Sequence, residues 1–309
     1  MDPVILFFAL GIFAGVARSD LKLPPAIYDL LSMLLLLTIG LKGGIELAKS
    51  AFGGLGLQML AVLAMGFSLP LLVFPVARLL GRIGRADAAS LAAHYGSVSV
   101  GTYAVGVSFL GAQGVSYDSQ LPLFLVLLEI PALMVGILLA RGVSGGTRWG
   151  PLAHDIFLGR SIVLLVGGLA IGWIAGPAGI APLEPLFFDL FKGVLALFLL
   201  EMGLIAASEI RTLRHNGLFL VAFGLIAPVP LATIGALLGW SLGLSIGGTT
   251  MLAVLAGSAS YIAAPAAMRI AVPAANPSLS RAASLGVTFP FNIFLGIPLY
   301  YRIAGWLHG

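Results

Sequence analysis

Apolar residues run along this chain in blocks of about twenty, without the two-residue alternation of a half-buried strand. Ten blocks are legible, at residues 3–18, 25–46, 54–80, 86–111, 121–141, 158–176, 184–208, 216–242, 246–272 and 283–305. In lipid the backbone amides must be bonded within the protein, and unbroken apolar runs of this length predict helices rather than a barrel. The expected fold class is an all-α membrane protein with ten transmembrane helices. Two blocks depart from the pattern. One holds HYGSVSVGTYAVG (94–106) and the other GSAS (257–260), with glycines and hydroxyls where leucine and valine are expected. Glycine lets a helix unwind, so both stretches predict broken helices at mid-membrane. Small residues also serve close helix packing, and one such stretch alone does not choose between the two.

The two stretches are related. GSVS (96–99) matches GSAS (257–260) at an offset of 161 residues, and GLKGGIEL (40–47) matches GLIAASEI (203–210) at an offset of 163. EIPALMVGI (129–137) matches FPFNIFLGI (289–297) in the same order. The reading is two five-helix repeats, 1–142 and 158–309, joined by a Gly-rich polar linker at 143–157. Five spans is an odd number, so the halves insert with opposite orientation, which is the inverted-repeat plan of secondary transporters. In that plan the substrate lies where the broken helices of the two halves meet.

Composition agrees. Of 309 residues only 9% are charged, against about 25% in soluble domains, and mean hydropathy is +1.09. There is no cysteine, hence no disulfide or thiol chemistry. The first twenty residues lack a basic leader region and are expected to be a retained first helix. Arg18, Lys22, Arg78, Arg82, Arg85, Arg141, Arg148, Arg160, Arg211, Arg214, Arg269 and Arg281 fall on one side of the ten-span plan. Lys49, Arg302 and Lys42 fall on the other, so the first side is expected to be cytoplasmic and both termini outside. The net charge of +4 sits in short loops rather than in a patch, which argues against nucleic acid. No HExxH, Walker loop or GxSxG elbow occurs, and an enzyme is not expected.

The hydroxyls of Ser97, Ser99, Thr102, Ser258 and Ser260 can replace water around a small polar solute, and broken-helix N-termini favour an anion. Glu129 lies in an apolar run before Pro131 and is a candidate for ion coupling. Glu201 and Lys192, nine residues apart in one span, are too far apart to pair along a helix. His94 can carry a proton or serve structure, and Tyr95, Tyr103 and Tyr261 can shape a pocket or fill the core. Glu46 and Glu209 are expected to close helix ends.

Several stretches resemble the sodium-dependent bicarbonate transporters of the cyanobacterial Sbt type: TIGLKGGIEL (38–47), GSVSVGT (96–102), EIPAL (129–133), MGLIAASEIRTLR (202–214), IAP (226–228) and VPAANPS (272–278). The resemblance covers essentially the whole chain. It implies a core domain moving against a gate domain, a homotrimer in the plasma (inner) membrane, and bicarbonate bound between the fourth and ninth spans with sodium beside it. By position it assigns Gly96, Ser97, Val98, Ser99 and Thr102 to the first half of the substrate site, and Ser258, Ser260 and Pro265, with Ala259 between the serines, to the second. The coupling ion falls to Ser258, Ser260 and position 261, with Glu129 nearby. The chain departs from the family at Tyr261, where an Asp is expected, and at Ala259, Ala263, Val100, Gly101 and His94. The long loop between halves, which goes with a PII-like cytoplasmic regulator, is short here. The expected activity is sodium-coupled uptake of a small anion, bicarbonate by resemblance. A sodium- or proton-coupled organic anion carrier and a solute-binding membrane sensor stay open as alternatives.

Overall fold

The structure is a computed structural model that describes residues 3–49, 54–142, 154, 157–213 and 217–309. Most of the linker at 143–157, with Arg148, lies outside the described residues, as does Arg214. Among the described residues the chain is helical without strands. In chain order the helices are α1 (Pro3–Val16), α2 (Pro25–Lys49), α3 (Leu55–Leu79), α4 (Arg85–Gly96), α5 (Val100–Ala112) and α6 (Leu121–Arg141). Then follow α7 (Arg160–Ile180), α8 (Phe191–Leu213), α9 (Leu218–Ser241), α10 (Ile246–Ala256), α11 (Ala263–Ala271) and α12 (Pro277–His308). Seven of these, α2, α3, α6, α7, α8, α9 and α12, are long and apolar enough to cross a membrane. The first block is a shorter helix of 14 residues. The blocks at 86–111 and 246–272 are each split into two helices.

The helices pack in a matched pattern. α1 lies along α8, and α2 lies along α7. Both crossings are close because glycine meets glycine: a β carbon on Gly11 would sit 3.0 Å from the Gly203 Cα, and one on Gly40 would sit 3.0 Å from the Gly168 Cα. Such backbone approach replaces the hydrophobic drive that lipid cannot supply. A second body forms from α3, α4 and α6, and its counterpart from α9, α10 and α12. Side-chain ties join these parts, among them two made by aspartates. Asp87 Oδ1 accepts from the Asn276 amide at 2.6 Å, and Asp118 Oδ2 accepts from the Ser245 amide at 3.0 Å.

α12 is irregular in a useful way. It holds two widened turns, Ser284–Thr288 and Asn292–Gly296, shortly before Pro290 and Pro298. Proline cannot donate to the preceding turn, and a π-type turn absorbs the mismatch. The widened turns place Thr288 and Asn292 in the fully buried centre. Thr288 accepts from the Tyr95 hydroxyl at 2.6 Å while donating to the Gly224 carbonyl. Asn292 donates to the Gly257 carbonyl at 2.9 Å, at the very end of α10. Both interrupted segments are thus tied to α12.

Candidate functional site

α4 ends at Gly96, which presses so closely on Pro70 that a β carbon would overlap the proline ring. The chain then runs extended through Ser97 (φ −87°, ψ 178°) to Ser99, the N-cap of α5. Ser99 Oγ accepts two hydrogen bonds, from the Thr102 amide at 3.0 Å and the Thr102 hydroxyl at 2.8 Å. This is the N-cap expected of a serine ahead of a helix. In the second half α10 ends at Ala256, and residues 257–262 lead to α11. Ser260 Oγ accepts from the Ala264 amide at 3.2 Å.

The two interruptions are bonded to each other. The Ser260 amide donates to the His94 carbonyl at 2.7 Å, and the Ser99 amide donates to Ser258 Oγ at 3.0 Å. The Ser258 hydroxyl in turn donates to the Leu255 carbonyl at 2.8 Å. The Ser260 amide, the His94 carbonyl and the Ser99 amide, freed by the breaks, are therefore satisfied across the crossing, which helps both breaks persist in an apolar interior.

Beside this crossing lies a cavity of about 10 Å³, lined by Val98, Ser99, Val100, Glu129, Ser161, Ser260, Tyr261, Ile262 and Ala263. That is room for about one water molecule or one small ion. The starts of α5 and α11 both line it, so two helix N-termini with their positive dipole ends converge there. Glu129 reaches it from α6 with only 3% of its surface exposed. Its carboxylate has no hydrogen bond and no ion pair with any described residue. The Tyr261 ring packs edge-on against Phe289, centroids 5.3 Å apart. Its hydroxyl lies beside Ser99 and Gly101, so close to Gly101 that a β carbon there would collide with it, yet it forms no well-shaped hydrogen bond.

Of the residues the sequence pointed to, Val98, Ser99, Glu129, Ser260 and Tyr261 share this one cavity. Thr102 is held against Ser99, and Ser258 is committed to the crossing itself. Gly96, Ser97 and Ala259 are buried alongside without lining the cavity. His94 is buried, its Nδ1 bonds the Ser90 carbonyl at 2.7 Å, and its Nε2 has no partner among the described residues. Of the two glutamates expected at helix ends, Glu46 pairs with Lys49 at 2.9 Å, and Glu209 faces Arg281 at 3.8 Å. Ser161, near the start of α7 and 8% exposed, was not foreseen as part of the site. Among the described residues no group of three or more His, Cys, Asp or Glu could hold a metal ion.

A bundle of long apolar helices around a buried polar crossing defines a multi-pass membrane protein. The chain belongs to the Na+-dependent bicarbonate transporter superfamily, whose model matches residues 3–305. No curated protein matches it.

Proposed function

We propose that this protein is a secondary active transporter that takes up bicarbonate with sodium by alternating access. One observation carries the reading: two interrupted spans cross, bond to each other and enclose an ion-sized cavity, in a chain of this superfamily. The matched packing supports ten spans in two inverted five-helix repeats, residues 1–142 and 158–309, around the linker 143–157. In this reading α1, α2, α7 and α8 are the gate, and α3–α6 with α9–α12 are the core. Gly96, Ser97, Val98, Ser99 and Thr102 form the first half of the substrate site, and Ser258, Ala259 and Ser260 the second. The anion is drawn by the amides at the starts of α5 and α11.

Bicarbonate has four heavy atoms and does not fit a one-water cavity, so the arrangement described is a closed one. Tyr261 and the gate helix α7 are the parts that must withdraw to admit it. Both termini outside, the inner membrane and a homotrimer complete the proposal on loop charge and family resemblance, while the short linker at 143–157 gives no support for a PII-like regulator. A proton- or sodium-coupled organic anion carrier is the second reading, favoured by the tyrosine where the family pattern has an acid. A solute-binding sensor is the third. Uptake of labelled bicarbonate into sealed proteoliposomes, with and without an inward sodium gradient, decides among them. Sodium-dependent accumulation is expected. Uptake of an organic anion instead selects the second reading, and saturable binding without accumulation selects the sensor.

A further inference from the structure

Toward the end of the bundle that the loop charges place outside, a second and larger space lies between gate and core. Its volume is about 70 Å³, against about 10 Å³ at the crossing, which is room for a few waters or one small polyatomic ion. Thr38 and Lys42 line it from α2, Val107 from α5, Tyr117 from the segment before α6, and Phe188 and Phe191 from the turn into α8. Val100 at the crossing and Val107 here are two turns apart on α5, about 10 Å along that helix.

The polar groups around this space have donors to spare. Lys42 is the one charged side chain lining it, and its ammonium makes no hydrogen bond or ion pair with any described residue. Glu46, one turn along α2, pairs with Lys49. The Thr38 hydroxyl donates to the Phe187 carbonyl at 3.0 Å, which fixes the wall and leaves no proton for a ligand. Tyr117 packs edge-on against Tyr103, ring centroids 6.4 Å apart. The two hydroxyls are neighbours, yet that of Tyr103, fully buried, has no well-formed hydrogen bond. If Tyr117 donates to a ligand in the space, its oxygen is left to accept from Tyr103, and the orphaned hydroxyl gains a partner. A ligand that accepts from an ammonium and a phenol together is an oxyanion.

We infer that this space is a second binding site, for a small oxyanion, with Lys42 its cation, Tyr117 its hydrogen-bond donor and Tyr103 bonding Tyr117 from behind. The site stands on the pocket alone. Its service as the place where the anion is received on the way to the crossing rests on the transport reading above. Val107, Phe188 and Phe191 keep the walls apolar, so one ammonium attracts an anion there more strongly than on open surface. One cation with no carboxylate among the lining residues matches a single negative charge. The occupant touches α2 on the gate side and Tyr117 on the core side, so a relative movement of the two bodies opens the site.

The test is thermal unfolding of purified Gly101→Val, whose crossing is filled by the added side chain, in sodium-free buffer. Potassium bicarbonate is titrated against potassium gluconate, an anion too large for the space, at equal ionic strength and pH. Saturable stabilisation by bicarbonate is expected. Adding Lys42→Gln should weaken the apparent affinity at least about tenfold, Tyr117→Phe about threefold, and Lys42→Arg less than about threefold. No response in Gly101→Val, or an equal one after Lys42→Gln, overturns the site. Should Gly101→Val not fold, acetylation of wild type mapped lysine by lysine gives the decision. Bicarbonate should slow modification of Lys42 at least about threefold and leave Lys49 unchanged, and equal rates at Lys42 overturn the site. In otherwise wild-type protein Lys42→Gln should raise the KM for uptake about fivefold and hold kcat within about twofold. An unchanged KM overturns the receiving role. A wild type that takes up no bicarbonate sinks the transport reading, while the titration still decides the site.

Discussion

At the first interruption, residues 97–99 separate α4 from α5, and the cap residue Ser99 has extended backbone (φ −112°, ψ 113°). At the second, residues 257–262 separate α10 from α11, and the residue at the cap position, Ile262, has φ −115° and ψ −62° and gives no side-chain cap. Ser99 and Ser260 hold matched places in the repeated motif, but Ser99 accepts two bonds and Ser260 one. Val100 follows the first and Tyr261 the second. The facing helices diverge in the same sense. α6 presents Glu129, and the matching place in α12 is Phe289, which backs the Tyr261 ring. The two breaks share a Gly-Ser-x-Ser motif, but their surroundings differ. The first break is a fixed platform of amides, and the second carries the bulky side chain that fills the space above it.

The largest effect should come from breaking the platform. A side chain at Gly101 meets the Tyr261 hydroxyl and the Phe198 ring, the latter 2.9 Å from an added β carbon. Gly101→Val is expected to cut proteoliposome uptake by about a hundredfold, the usual cost of misplacing a site by about an ångström. At the matched place in the second break, Ile262→Val removes one methyl group and should change uptake less than about threefold. Equal losses from the two substitutions would remove the distinction between platform and cover.

Much of this was legible in the sequence. The breaks announced themselves because Gly, Ser and Thr interrupt apolar runs, and Glu129 because a carboxylate in such a run is costly and rarely idle. Ser161 was not legible. It stands beside Arg160 at the start of a span, where serine is ordinary, and only long-range packing brings it to Glu129. Helix ends were misjudged where hydropathy is blind to geometry. Residues 184–190 are apolar enough to extend a span, yet prolines 182 and 185 hold them in irregular turns ahead of Phe191. The last helix starts at Pro277, six residues before its apolar block, because Asn276 caps it by accepting from the Ser278 amide at 3.0 Å. Polar residues at 278 and 280 hid that start from a reading based on hydropathy.

A smaller effect should separate the two serines. Ser99→Ala removes an N-cap with two accepted bonds and is expected to destabilise the folded protein by about 1–2 kcal/mol. Ser260→Ala removes one longer bond, at 3.2 Å, and should cost about 0.5–1 kcal/mol. Thermal unfolding in detergent, in sodium-free buffer, measures both. A larger loss from Ser260→Ala would reverse the assignment of the rigid side.

The smallest effect belongs to Tyr261, and it sharpens the comparison most. Among the buried tyrosines near the two breaks, Tyr95 and Tyr261 differ in one respect at their hydroxyls. The Tyr95 hydroxyl donates to Thr288 at 2.6 Å, whereas the Tyr261 hydroxyl has no well-formed partner. Removing a bonded hydroxyl strands its partner, so Tyr95→Phe should destabilise by about 1 kcal/mol. Removing an unpartnered one strands nothing and relieves its own desolvation, so Tyr261→Phe should leave sodium-free unfolding unchanged or raise it slightly. On the family resemblance that places the coupling ion at position 261, the same Tyr261→Phe protein should still bind sodium more weakly than wild type, while its ring stays packed on Phe289. Stability held with affinity lost marks a hydroxyl kept for a ligand. Stability lost by the same amount as in Tyr95→Phe would instead mark a hydroxyl that serves the fold, and the cover would then be only packing.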